Sequence, residues 1–199
     1  MTPLDRVLLL LTGILAAYEV AVGIDGFSTL PIVAYTIAFG VLLIAGLLLI
    51  IWGFDVLDSP MVVIISTIIP LSLATGLAWQ HLASFRIWYL VLAIVGFLAV
   101  TLTRSIPTPD KIQIFVLTLV HGLAGLTIFL LPILLSIQGQ VNPLFSLVGV
   151  GGALIGIGGL LLSFLKAGRP IISKERIFKV LPGLLLLMTI CFVAGFKFG

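Results

Sequence analysis

Few side chains in this sequence can do chemistry, and most of those stand inside long apolar runs. Glu19 lies about one helical turn from the end of "VLLLLTGILAAYEVAVG", and Gln80 and His81 close "MVVIISTIIPLSLATGLAWQHLA". His121 lies about ten residues into the run that begins "KIQIFVLTLVHGL". An ionisable side chain at membrane depth costs about 2.5 kcal/mol or more, so Glu19, Gln80, His81 and His121 are the candidate substrate or ion path. Glu19 and His81 pair a carboxyl with an imidazole, which can share a proton and respond to pH near neutrality. With Tyr18, Asp25, Trp79, Arg86, Trp88 and Tyr89 they fit either of two readings. One is an outward-facing polar pocket. The other is a membrane boundary in which Trp79, Trp88 and Tyr89 form an interface belt and Glu19 reaches up to water.

His121 fits a proton relay, a substrate contact, or an axial ligand to haem or chlorophyll. It equally fits a buried imidazole bonded to a neighbouring carbonyl, to Thr118 or to Thr75. A bis-histidine haem with His81 is disfavoured by depth, since the two differ by about 15 Å along the membrane normal. Asp55 and Asp58 in "FDVLDS" have a spacing that suits Mg²⁺ and a phosphate, or simply a solvated loop. Cys191 is the single cysteine, so no internal disulfide forms, and metal-binding Cys/His spacings are missing. No metal site is expected and no cofactor is identified.

The elements that must position these residues follow from composition. At 61% hydrophobic and 9% charged over 199 residues, the chain departs from soluble domains, which carry about 25% charged residues. Seven apolar runs are long enough to cross a bilayer: Val7–Gly23, Pro31–Gly53, Met61–Ala83, Ile87–Thr103, Lys111–Ile137, Ser146–Lys166 and Ile177–Lys197. Backbone groups in lipid must be satisfied internally, and no barrel-like alternation is present, so the expected fold class is an all-α integral membrane protein of seven transmembrane helices.

The basic residues orient it. Arg6, Arg104, Lys111, Lys166, Arg169, Lys174, Arg176 and Lys179 fall on one side, and Arg86 and Lys197 on the other. The amino terminus is then cytoplasmic and the carboxyl terminus outside. The basic charge is accounted for by topology and by anionic headgroups, so the lipid bilayer is the partner and nucleic acid is not. The expected location is the cell membrane. The first run is expected to be retained, because no clean small-x-small cleavage site follows it.

Shifting the sequence by 112 residues lays "PIVAYTIAFGVLLIAGLLLI" from Pro31 over "PLFSLVGVGGALIGIGGLLL" from Pro143. Pro31 meets Pro143, Gly40 meets Gly152, Gly46 meets Gly158, and Pro70 meets Pro182. These matches predict a parallel 3-1-3 internal repeat: residues 1–83 as one triplet, 84–107 as a linker helix and 108–199 as a second triplet. The plan resembles that of SWEET-type sugar transporters, without any motif of theirs. The spacing of Gly13, Gly23, Pro31, Gly40 and Gly46 across a hairpin is similar to acid-resistance membrane proteins of the HdeD type. Neither resemblance transfers a functional residue.

In "VGVGGALIGIGGLLLSFLK" the glycines match neither a dinucleotide-binding nor a P-loop spacing. Gly149, Gly152, Gly156, Gly159 and Ser163 instead recur at steps of three and four, which is a helix-packing stripe containing G-x-x-x-G. Its partner is a neighbouring helix, a second copy or another membrane subunit. Pro70 and Pro182 kink the third and seventh spans and can act as hinges. Hydrolase motifs and paired buried carboxylates are missing and the loops are short, so no catalytic residue and no enzyme activity is expected. Two functions remain. One is a small transporter or channel for a small solute or ion. The other is a non-catalytic accessory subunit of a larger membrane complex that binds a lipid, haem or pigment. A polar cavity past mid-depth would favour the first, and a solid interior the second.

Overall fold

A computed structural model describes residues 1–166 and 171–199, apart from the side chains of Ser163 and Lys166. Seven helices follow in order: α1 Pro3–Val22, α2 Thr29–Trp52, α3 Pro60–His81, α4 Arg86–Ser105, α5 Asp110–Ile137, α6 Ser146–Lys166 and α7 Lys174–Phe198. No strand occurs among the described residues. The chain is an all-α, multi-pass membrane protein. Six helices are long and apolar enough to cross a membrane, whereas α1 carries Asp5, Arg6 and Glu19 within its 20 residues.

Capping chemistry sets the helix ends, which therefore overrun the apolar runs. α1 starts at Pro3 rather than Val7 because Thr2 and Asp5 form a capping box: the Asp5 N–H donates to Thr2 Oγ1 at 3.2 Å and the Thr2 N–H to Asp5 Oδ2 at 2.6 Å. α7 likewise starts at Lys174, with the Ser173 hydroxyl accepting from the Arg176 N–H. Gly23 (φ 79°) and Gly53 (φ 73°) close α1 and α2 in a backbone region that side-chain-bearing residues avoid, and their N–H groups donate to Glu19 and Leu49 carbonyls. Pro70, Pro132 and Pro182 all lie buried inside helices. Each removes one backbone bond from its helix.

Six helices form a closed ring in the order α1, α2, α3, α5, α6, α7, with α7 returning to α1. α4 lies outside it against α3 and α5, pinned by the Tyr89 hydroxyl donating to Thr127 Oγ1 on α5 at 2.9 Å. Among the largest fully buried side chains are Tyr35, Phe39, Leu73, Leu77, Ile128, Met188 and Phe192. They are contributed by both halves of the chain.

Helices in lipid gain little from apolar burial against one another, so close approach must come from small residues. On α6, a methyl placed on Gly152 would lie 2.7 Å from Ile128 Cγ2 and 2.9 Å from the backbone of α5, and one on Gly149 would lie 2.6 Å from the Phe129 carbonyl oxygen. Gly156 and Gly159, further along the same stripe, face open space. The Ser163 side chain lies outside the described residues. A second set escapes the stripe: Gly151 abuts Phe192, Gly158 abuts Leu184, and Gly195 of α7 abuts Val148. α6 is thus wedged by glycine against α5 on one flank and α7 on the other.

Candidate functional site

Buried threonines show how most polar groups here are satisfied. Thr12, Thr67 and Thr189 each donate to the carbonyl four residues back, those of Leu8, Val63 and Leu185, at 2.7–2.9 Å. His121 belongs to the same class. Its Nδ1 lies 3.1 Å from the Leu117 carbonyl of its own helix, and the ring is half-buried on a span that mostly faces outward. Thr118 and Thr75 do not bond it. The imidazole is held by local geometry, and nothing among the described residues brings His81 to it.

A different group of polar atoms is left over. Glu19 is 3% exposed, Tyr35 0% and Thr75 5%, yet among the described residues Glu19 Oε1, Tyr35 Oη and Thr75 Oγ1 have no hydrogen-bond partner, and neither have His81 Nε2 and Arg104 Nε. Such groups are normally paired when buried, and each orphan carries a desolvation cost of about 1–3 kcal/mol. All but Arg104, which is on α4, come from the first three helices. By rise per residue, Tyr35 lies about 9 Å inside its end of α2 and Thr75 about 9 Å inside the facing end of α3. The Tyr35 ring lies against Gly76, the residue after Thr75: a methyl there would stand 2.8 Å from Tyr35 Cζ. Gly76 is therefore what admits the phenol between α2 and α3.

Sequence reading singled out Glu19 and His81 but missed Tyr35, and it considered Thr75 only as a partner for His121. Tyr35 carried a usable signal. It sits four residues beyond Pro31, too deep for an interface belt. Thr75 carried none, because its type and spacing match those of the self-satisfied threonines. The structure does not join Glu19 to His81. Neither Glu19 Oε1 nor His81 Nε2 has a hydrogen-bond partner among the described residues, and α1 packs mainly on α2 and α7 while α3 packs on α2, α4 and α5.

The remaining outer residues divide by exposure. Of the expected belt residues Trp88 is exposed whereas Trp79 and Tyr89 are half-buried, and Tyr18 and Asp25 are exposed as well. Glu19 does not reach water with them. Arg86 Nε donates to the Trp79 carbonyl at 2.5 Å. Gln80 Oε1 accepts from the backbone and hydroxyl of Ser28, both at 3.4 Å, and so ties α3 to the α1–α2 loop. Lys197 is the cation whose charge acts on Glu19, while its Nζ stands 5.9 Å from the Tyr18 ring.

Over the orphan atoms, at the end of the ring where α1, α3 and α7 finish, lies an aromatic cluster. Tyr35 and Phe196 rings are 4.5 Å apart, Phe27 and Tyr35 5.5 Å, Phe145 and Phe196 6.2 Å, and the His81 ring is 5.4 Å from Phe145. It joins α2, α3 and α7 to both adjoining loops and fills the mouth of the ring.

At the opposite end, Leu57, Asp58, Leu162, Leu165, Lys174 and Phe178 surround a cavity of about 230 Å³. Phe54 stacks on Phe178 at 4.8 Å there, and Lys174 Nζ lies 5.3 Å from the Phe178 ring. Asp55 and Asp58 occupy the 3₁₀ turn Phe54–Asp58 that leads into this cavity. Compared with protein-family models, with curated proteins and with solved structures, the chain matches none of them.

Proposed function

We propose that this multi-pass membrane protein is a small transporter of the cell membrane that carries a small cation, or a small solute together with a proton, and that it has no enzymatic step. The observation that carries the reading is Glu19, a carboxyl enclosed in the protein with an unpartnered oxygen. A purely structural helix gains nothing from such a group, whereas a site that binds and releases a cation can use its charge. Tyr35, Thr75 and His81 supply further unsatisfied oxygen and nitrogen atoms to the same three-helix unit.

The helix order supports a two-halved transporter. The contacts α1–α2, α2–α3 and α3–α5 recur as α5–α6, α6–α7 and α7–α1, the pairing that a parallel repeat about an axis along the membrane normal produces. Under the 112-residue shift, Tyr35, Thr75 and His81 fall on Leu147, Leu187 and Val193. The first half would then hold the ligand and the second half would be its apolar counterweight. In this arrangement the ring is closed, with the aromatic cluster as its outer seal, and Pro70 and Pro182 are the matched positions where α3 and α7 can bend.

Two observations favour the accessory-subunit reading: the interior is filled by side chains such as Tyr35, Phe39 and Phe192, and Gly156 and Gly159 leave part of the glycine stripe open for a homo-oligomer or another subunit. A single experiment separates the two. Protein reconstituted in liposomes with an entrapped pH dye is driven by imposed proton, sodium and potassium gradients. Transport predicts flux above empty liposomes that Glu19→Gln abolishes. Flux equal in wild type and Glu19→Gln removes Glu19 from the path. Absence of flux for every cation, with stoichiometric co-purifying subunits, replaces transport by the accessory role.

A further inference from the structure

On the outer surface of the ring, α1 and α2 flank a groove of about 140 Å³ bounded by Leu10, Gly13, Ala17, Leu43, Leu47 and Ile50. Gly13 and Gly46 create it. A methyl on Gly13 would lie 3.5 Å from Leu43 Cδ1 and one on Gly46 3.7 Å from the Leu9 carbonyl oxygen, so the backbones approach closely while small side chains leave the outer face hollow. From Leu10 to Ala17 the groove runs about 10 Å along the helix axis, parallel to the membrane normal. Its walls are wholly aliphatic and offer nothing to a polar ligand.

What lies at the end of the groove names the occupant. Gly13 lies against Leu43 and Gly46 against the Leu9 carbonyl, so the two antiparallel helices meet with Gly13 level with Leu43 and Leu9 level with Gly46. Continued by one turn, this register brings Arg6, on the same face of α1 as Leu10, Gly13 and Ala17, level with Ile50 in the last turn of α2. Arg6 is exposed. The adjacent carboxylate, Asp5, is turned away from it into the capping box with Thr2. An exposed cation at headgroup depth with a slot for hydrocarbon beneath it is complementary to one molecule with a negative head and an acyl tail.

The geometry points to a specific site for an anionic phospholipid on α1 and α2, with its phosphate on Arg6 and one acyl chain in the Gly13–Ala17 groove. It belongs to the leaflet on the amino-terminal side of α1. The site is independent of the transport reading, since it lies on the lipid face of the ring and uses none of the orphan polar groups.

The test is native mass spectrometry of protein released from nanodiscs of equimolar phosphatidylglycerol and phosphatidylcholine. Wild type is expected to retain one lipid, with phosphatidylglycerol preferred about fivefold, the factor that one basic residue near an anionic surface supplies. Arg6→Gln is expected to retain a lipid with the preference abolished, which also shows that the variant folds. Ala17→Leu, which fills the groove, is expected to lose the retained lipid, and Ala17→Ser, which leaves it open, to keep it. Undiminished retention by Ala17→Leu, or a phosphatidylglycerol preference that survives Arg6→Gln, overturns the site.

Discussion

Two glycines four residues apart on α6 should respond in opposite ways to the same added methyl group. At Gly152 the new carbon would stand 2.7 Å from Ile128 Cγ2 and 2.9 Å from the Ile128 carbonyl carbon and the Phe129 nitrogen. Two of these three are backbone atoms that cannot rotate away. Carbon contacts are optimal from about 3.5 Å, so α5 and α6 must part by about 0.8 Å at this point. A seam with on the order of 40 atom pairs, each worth about 0.15 kcal/mol, loses a quarter to a half of that attraction on such a gap, or about 1.5–3 kcal/mol. Better helix propensity returns about 0.5–1 kcal/mol. Gly152→Ala should therefore destabilise the protein by about 1–2 kcal/mol. Gly156→Ala meets nothing within 4 Å, keeps the propensity term alone and should be neutral or more stable by up to about 1 kcal/mol. The assay is reversible unfolding in dodecylmaltoside–SDS mixtures followed by circular dichroism. Equal stability of Gly152→Ala and wild type, or equal losses at both positions, would refute the seam. A loss at Gly156 alone would instead place an intermolecular interface there.

Gly76→Ala should displace the Tyr35 ring and cost about 1–3 kcal/mol as overpacking, read in the same unfolding assay; coupling it with Tyr35→Leu should recover most of the loss, because the obstructing ring is gone. His121→Leu should leave liposome flux unchanged and shift stability by no more than about 1 kcal/mol, since its ring bonds to its own helix. A larger effect on flux would make His121 part of the path. Phe54→Ala should cost about 0.5–1.5 kcal/mol beyond the lost buried area by removing the stack on Phe178, and double-mutant analysis with Phe178→Ala should return that coupling.

Much of the architecture was legible in the chain because hydropathy and capping are local. Runs of about 20 apolar residues between loops such as "RSIPTPDK" locate the helices without reference to what surrounds them. Helix ends were less legible where a cap lies outside the apolar run, as Thr2 and Ser173 do. Of the candidate site, Glu19 and His81 could be picked out because ionisable residues are rare in this composition. His121 was picked out on the same ground, and the structure holds it by a single bond to the Leu117 carbonyl.

By itself, then, the sequence determined that the chain is a bundle of membrane helices, which residues could be costly inside it, and which helix was built for close contact. The tertiary structure decided which of those possibilities are real contacts. Thr12, Thr67, Thr75 and Thr189 are chemically identical and all buried, yet Thr75 alone among them lacks a hydrogen-bond partner. Gly152 and Gly156 share one stripe, yet one touches α5 and the other faces open space. The physical reason is range. Transfer free energy depends on a residue and its immediate segment, whereas steric contact and hydrogen bonding change over tenths of an ångström and depend on the neighbouring helix, whose position no local pattern encodes.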